Sequence, residues 1–250
     1  MKLQGKTAII TGSARGIGKG IAVAYAKEGA NLVLNVYGVE QQEIEELSRD
    51  VSSYGGQAVI IEGDITKKEI VEEMVQTALS RFQTIDILVN NAGILTQSLL
   101  KDMEEEQWDQ MINIDLKSVF LTTRAVVQYM IAQKSGRIIN IASQIGQKGG
   151  VELSHYAAAK AGVIAFTKSI ALELGKYNIT ANCIAPGPIQ TQLVAEINED
   201  WKLQKQKELA VPRFGTVEEV APTAVLLASS PDGNIYTGQT LGPNSGDVML

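Results

Sequence analysis

The sequence is poor in the residues that build metal and disulfide sites. Cys183 is the only cysteine and His155 the only histidine among 250 residues. One cysteine excludes an internal disulfide framework, and one histidine cannot build a histidine metal site. No metal is expected. No basic block interrupts a formal net charge of −6, so nucleic acid is excluded as a partner. The same balance disfavours an acidic protein partner. No apolar run approaches the roughly 18 residues of a membrane-spanning helix. Met1 to Lys6 carry no signal-type apolar region before the first strand. A cytoplasmic protein without a membrane partner is expected. Linkers, repeats and low-complexity tracts are missing too. One domain over residues 1–250 is expected, since α/β folds often run to this length as one unit.

What is present alternates between short apolar runs and amphipathic stretches. Thr7 to Ile10 is an apolar, β-branched run. Thr11-Gly12-Ser13-Ala14-Arg15-Gly16-Ile17-Gly18 follows at once. Ile21, Ala22, Tyr25 and Ala26 then recur at helical spacing until Gly29. Strand, glycine turn and helix in that order let backbone approach a pyrophosphate at a helix N-terminus. A plain turn has the same composition, and the strand-turn-helix context argues against it.

Further strands are expected at Asn31–Val36, Ala58–Glu62, Asp86–Val89, 136–142, Ile179–Ile184 and Thr237–Leu241. Helices are expected at 40–53, 67–82, 104–133, from Ser154 and at 217–229. This is an α/β pattern: a Rossmann-type, doubly wound parallel sheet of about seven strands with helices on both faces. The second strand ends Asn35-Val36-Tyr37, with no acid before Glu40. An acid there would bond the ribose hydroxyls of NAD. Its absence, with Arg15 in the glycine turn, favours NADP(H), and NAD(H) is the alternative. Asp64 stands at the end of the third strand, to face an adenine or to cap a turn. Asn90-Asn91-Ala92-Gly93 ends the fourth. Trp108, Met111, Ile112, Leu116, Phe120 and Leu121 have core spacing in the long helix, with Asn113 among them. Cys183 is expected to be a small core residue. Leu193 to Leu209 is polar and charged, as a mobile lid would be.

Ser154 to Ala171 organises the rest. Ser154 is the expected N-cap, and the alanines after it favour helix. Tyr156 and Lys160 are four apart, hence on one face about a turn apart. An ammonium there lowers a phenol from its reference of about 10 towards a general acid/base usable near neutral pH. Ser143, at the end of the fifth strand, lies upstream.

Taken in order and spacing, these pieces resemble the classical short-chain dehydrogenase/reductase family along essentially the whole chain. The resemblance implies Tyr156 as proton donor or acceptor and Ser143 as the hydroxyl that polarises a carbonyl. It implies Lys160 on the nicotinamide ribose and Asn113 holding a relay water. It also implies cofactor contacts from Gly12, Ser13, Arg15, Gly16, Ile17 and Gly18. Asp64, Ile65, Asn91, Ala92 and Gly93 add to these, with Tyr156 and Lys160, and so do Pro186, Gly187, Ile189 and Thr191. The hydride belongs to the cofactor.

Within the family the chain looks most like the 3-oxoacyl-(acyl-carrier-protein) reductase branch, with which Arg15 and Ile138-Ile139-Asn140-Ile141 agree. It departs at Gln128 and Leu172, where that branch commonly carries arginines that grip the carrier. It departs again at Leu241 to Asp247. A small carbonyl or alcohol, such as a sugar or polyol, is the alternative substrate. Family members are mostly homotetramers, and the alanine-rich Tyr156 helix suits subunit contacts. A catalytically silent dinucleotide sensor is the reading from another class. The joint presence of Ser143, Tyr156 and Lys160 argues against it.

Overall fold

The computed structural model describes residues 1–195 and 199–249. Seven parallel strands form one sheet in the order β3-β2-β1-β4-β5-β6-β7. They are β1 Thr7–Ile10, β2 Asn31–Val36, β3 Ala58–Glu62, β4 Ile87–Asn90, β5 Gly136–Ile141, β6 Ile179–Ile184 and β7 Thr240–Leu241. β1, β4 and β6 are buried along their whole length. That follows from covering both faces of a parallel sheet, and it explains why β1 and β4 read as near-continuous apolar runs, while β6 carries Thr180 and Asn182 among its apolar residues.

Two helical layers do the covering. On one face lie α1 (Gly16–Lys27), α2 (Gln41–Ser52) and α10 (Val217–Ala228), which bury Ile21, Leu47 and Val220 against Ile10 and Leu34. On the other lie α3 (Lys68–Phe82), α5 (Ser118–Gln133) and α7 (Ser154–Leu174), which bury Met74, Met130 and Ile170 against Ile9 and Leu88. Short helices α4 (Glu105–Ile112), α6 (Ile145–Lys148), α8 (Gln192–Ala195) and α9 (Glu199–Glu208) sit in the connections. Cys183 is a buried core residue, as expected, and burial pushes its thiol up to about 11.

The expected helix over 104–133 runs unbroken from Glu105 to Gln133, but it is not α-helical throughout. A π-helical turn, Asn113–Lys117, separates α4 from α5. Trp108 and Phe120 do not enter the core; they are 38% and 42% exposed. Periodicity selects an apolar face without saying what covers it. The connection after β5 is partly helical rather than a plain loop. Ser154 is the first residue of α7, not its cap; Leu153 holds the cap position and no side chain caps the turn. Of the polar stretch 193–209, residues 196–198 lie outside the described residues.

A polar network crosses the buried centre. Asn90 and Asn140 pair in register between β4 and β5. Asn90 Nδ2 donates to Asn140 Oδ1 at 2.8 Å, and Thr122 of α5 donates to Asn90 Oδ1 at 2.6 Å. Asn140 Nδ2 donates to Thr167 Oγ1 of α7 at 2.8 Å. A network satisfied this way specifies one packing of sheet and helix.

Candidate active site

Strand order reverses between β1 and β4, and a parallel sheet opens a crevice at that point beyond its carboxyl ends. The glycine turn borders it. Gly12 and Gly16 have φ of 62° and 55°, the left-handed region that suits glycine. A Cβ on Gly12 would lie 2.8 Å from Ala92 Cα, and one on Gly18 would run into the Gly12 carbonyl and Asn91 Nδ2. Backbone therefore packs on backbone here. Asn91 Nδ2 donates to Thr11 O at 3.1 Å and Gly12 O at 2.8 Å. The Asn91 and Ala92 amides both donate to Thr11 Oγ1 at 3.0 Å. The first N–H groups of α1 have no intrahelical acceptor, and no side chain caps them. Such an end accepts a phosphate.

Several nearby residues turn inward instead. Ser13 is fully buried, and its hydroxyl and amide both donate to Asn35 O at 2.9 Å. Asn35 is spent as a brace, with Nδ2 donating to Gly63 O at 2.8 Å. It cannot also serve a ribose. Asp64 Oδ1 accepts from the Thr66 amide and hydroxyl at 2.9 and 2.8 Å, which is the turn-capping role. Ile65 is a core residue, and Ile17 packs on the α1 face. Arg15 is the N-cap of α1 and is exposed. Its Nη1 lies 3.2 Å from Gln192 Oε1 and 3.9 Å from Glu43 Oε1.

The candidate catalytic side chains lie across the crevice, where α7 meets the ends of β4 and β5. Ser143 is 8% exposed, and the Ile145 amide donates to its hydroxyl at 3.1 Å. Ser143 lies close enough to the Tyr156 phenol to pull its pKa down. Lys160 Nζ stands 5.6 Å from the Tyr156 ring centroid and donates to Ile141 O at 3.2 Å. Gly93 borders the same spot: a Cβ there would lie 2.7 Å from Asp115 Oδ2 and 3.3 Å from Lys160 Nζ.

Asp115 is the residue that the sequence reading misses. Its side chain is fully buried, 3.1 Å from Lys160 Nζ through Oδ2, and Oδ1 accepts from the Ile94 amide at 2.8 Å. Asn113 is two residues away, and residues so spaced do not share a helix face. The structure thus turns Asp115, not Asn113, towards Lys160. An acid between Ile114 and Leu116 in a core-spaced helix is the signal that could have found it.

Burial pushes the Tyr156 phenol up; Lys160 and Ser143 pull it down, and Asp115 pushes it up again. The net direction is upward, against the lowering expected from Lys160 alone. Burial also opposes the Lys160 charge, but Asp115 and then Tyr156 outweigh it, so the ammonium lies above its ordinary value.

The loop after β6 completes the rim. The Gln144 amide donates to Pro186 O at 3.1 Å, and a Cβ on Gly187 would run into Asn244. Ile189 is buried and bridges to Gly215. The Thr191 methyl lies 3.6 Å from where a Gly16 Cβ would be, at the start of α1. Asp247 fastens this rim. Lys148 and Lys205 each reach its Oδ1 at 2.7 Å, and Gln144 Nε2 donates to Oδ2 at 2.5 Å. Burial opposes its charge, but the bonds from Lys148 and Lys205 hold its carboxyl below the ordinary value. Among the described residues, no group of three His, Cys, Asp or Glu side chains could hold a metal ion. No helix there is long and apolar enough to cross a membrane.

The family model for short chain dehydrogenases matches residues 6–202. The chain belongs to that family. Short-chain dehydrogenases similar to it along the full length include a 3-oxoacyl-[acyl-carrier-protein] reductase of Synechocystis sp., 40% identical over 248 residues and 99% of each chain. One of the same description from Chlamydia trachomatis is 41% identical over 98% of each chain. One from Thermotoga maritima is 38% identical over 100% of each. Among solved structures, a double mutant of a Serratia marcescens short-chain dehydrogenase/reductase superposes with a TM-score of 0.91 at 30% identity over 99% of each chain. As a short-chain dehydrogenase, the protein is an oxidoreductase acting on CH–OH groups, interconverting a carbonyl and a secondary alcohol.

Proposed function

We propose that this dehydrogenase uses NADP(H), exchanges the substrate proton at Tyr156, and reduces a 3-oxoacyl group. One observation carries the chemistry: Ser143, Tyr156 and Lys160 meet at the crevice that the glycine turn borders. The fit of a dinucleotide rests on the close-packed Gly12 and Gly18 backbone and on the uncapped N-terminus of α1. That end would hold the pyrophosphate, Arg15 a 2′-phosphate and Lys160 the nicotinamide ribose. Pro186, Gly187 and Thr191 would border the nicotinamide. The bound nicotinamide supplies or accepts the hydride. Ser143 orients the substrate oxygen. Tyr156 gives that oxygen a proton in reduction and takes it back in oxidation. The 3-oxoacyl class is supported by what the full-length relatives are described to act on.

A free small carbonyl is the second reading. It is favoured by exposed Gln128 and by Leu172, 87% exposed, at positions where the carrier-binding branch commonly has arginines. Exposed Trp108, Phe120 and Leu172 also support a homotetramer. The cytoplasm is the proposed location.

The test is kcat/KM with a 3-oxoacyl carrier thioester and with free ketones and sugars, each with NADPH and NADH. NADPH is expected to win, and Arg15→Ala to reduce that preference roughly tenfold to a hundredfold, the worth of a charge-assisted contact. Equal use of NADH by the unaltered protein overturns the cofactor assignment. Higher kcat/KM on free ketones overturns the carrier thioester, and binding without turnover on any substrate would leave a sensor.

A further inference from the structure

Lys160 is not an unopposed cation beside the phenol. Asp115 comes from the π-helical turn, a geometry frequent at functional sites. Its two oxygens are divided: Oδ1 on the Ile94 amide at 2.8 Å, Oδ2 on the Lys160 ammonium at 3.1 Å. Neither member of the pair is more than 5% exposed, so solvent screens it weakly. The Ile141 carbonyl holds the ammonium from the other side. A carboxylate is more than this packing requires, because a neutral oxygen would satisfy the Ile94 amide equally well.

We propose that Asp115 is a positioning residue that holds the Lys160 ammonium and offsets its charge at the Tyr156 phenol, so that the phenol keeps its proton to higher pH. The inference rests on Tyr156 as the proton-exchanging group. The sign follows from Coulomb's law: a carboxylate disfavours a nearby phenolate, and an ammonium favours it. The upward push of Asp115 on the phenol and the downward pull of Lys160 agree with this.

The other titratable groups facing the pair are few. From α7, His155 is buried, with Nε2 bonded to Thr96 Oγ1 at 2.8 Å. Burial lowers its pKa and Asp115 raises it, with burial prevailing. From β6, the Cys183 thiol is held up at about 11 by burial. Neither carries a charge near neutral pH that could replace that of Asp115. Ser143 offers a hydrogen bond without a charge.

Asp115→Asn tests this, since it keeps the shape and an acceptor for the Ile94 amide. Asp115→Ser is a second neutral variant, smaller and still able to accept, should the asparagine not fold. Phenolate absorbance against pH, taken as the difference between each protein and its Tyr156→Phe counterpart, isolates the Tyr156 titration. The expected midpoint falls by on the order of one pH unit in the neutral variants. The kcat/KM profile for alcohol oxidation is expected to move down by the same amount. A midpoint that stays or rises in a folded neutral variant overturns the proposal. A falling midpoint with an unmoved activity profile upholds the role of Asp115 and overturns Tyr156 as the exchanging group.

Discussion

Replacing Tyr156 with phenylalanine is expected to reduce turnover by about 10²–10⁴-fold or more, the usual worth of a general acid/base. The phenol is the titratable hydroxyl that Ser143 and Lys160 both address. Phenylalanine keeps the ring, so the packing of α7 on the π-helical turn should persist. Cofactor affinity should change little, because the glycine turn and the α1 N-terminus lie across the crevice. Single-turnover rates and a binding titration with NADPH separate the two effects. A variant that keeps more than about a tenth of the rate removes Tyr156 from the role.

Lys160→Ala is expected to damage both stability and chemistry. It leaves Asp115 as a fully buried carboxylate with no cation. Breaking a buried pair from one side typically costs about 3–5 kcal/mol. Turnover should fall with it, and so should cofactor affinity, since the same ammonium is assigned to the ribose. In the unaltered protein the ammonium is raised above 10.5, so its stabilising contribution is complete below pH 10.5. That contribution is lost as pH rises through the folded-state value. Urea unfolding of both proteins measures the difference. A loss under about 1 kcal/mol would rank the pair with exposed ones, and an unchanged cofactor Kd would end the dual assignment.

Much of the fold is legible in local sequence. β1, β2, β3 and β6 have the bounds expected from short apolar runs flanked by glycine and polar turns. β1, β2 and β6 are buried almost throughout, whereas the edge strand β3 is mostly half-buried and is marked by its β-branched residues. β7 is shorter than expected, because its pairing with Cys183 and Ile184 decides where it begins. Tyr156, Lys160 and Ser143 are proposed from order and spacing, and the fold sets them near one another. The neighbours that set their charge are not found that way. Asp115 stands at core spacing but carries no motif of its own, and only the packing of its π-helical turn beside α7 shows that it meets Lys160. Asp247 lies about a hundred residues from Gln144 and Lys148, and no local pattern links them. Ser13 looks like a ligand group until its partner is seen to be backbone.

The Asn90–Asn140–Thr167 network also divides the molecule by how readily it opens. It ties α7, which carries Tyr156 and Lys160, to the middle of the sheet through bonds that water does not reach. Amides there should exchange with solvent only through near-global unfolding. α9 is mostly exposed and held to the rim through Lys205 and Asp247. Its amides should exchange by cheap local opening, faster than those of α7 by orders of magnitude. If α7 exchanged as fast as α9, the network would not be a fastening. With it, the proton-handling groups should stay still while the exposed α9 opens and closes beside them.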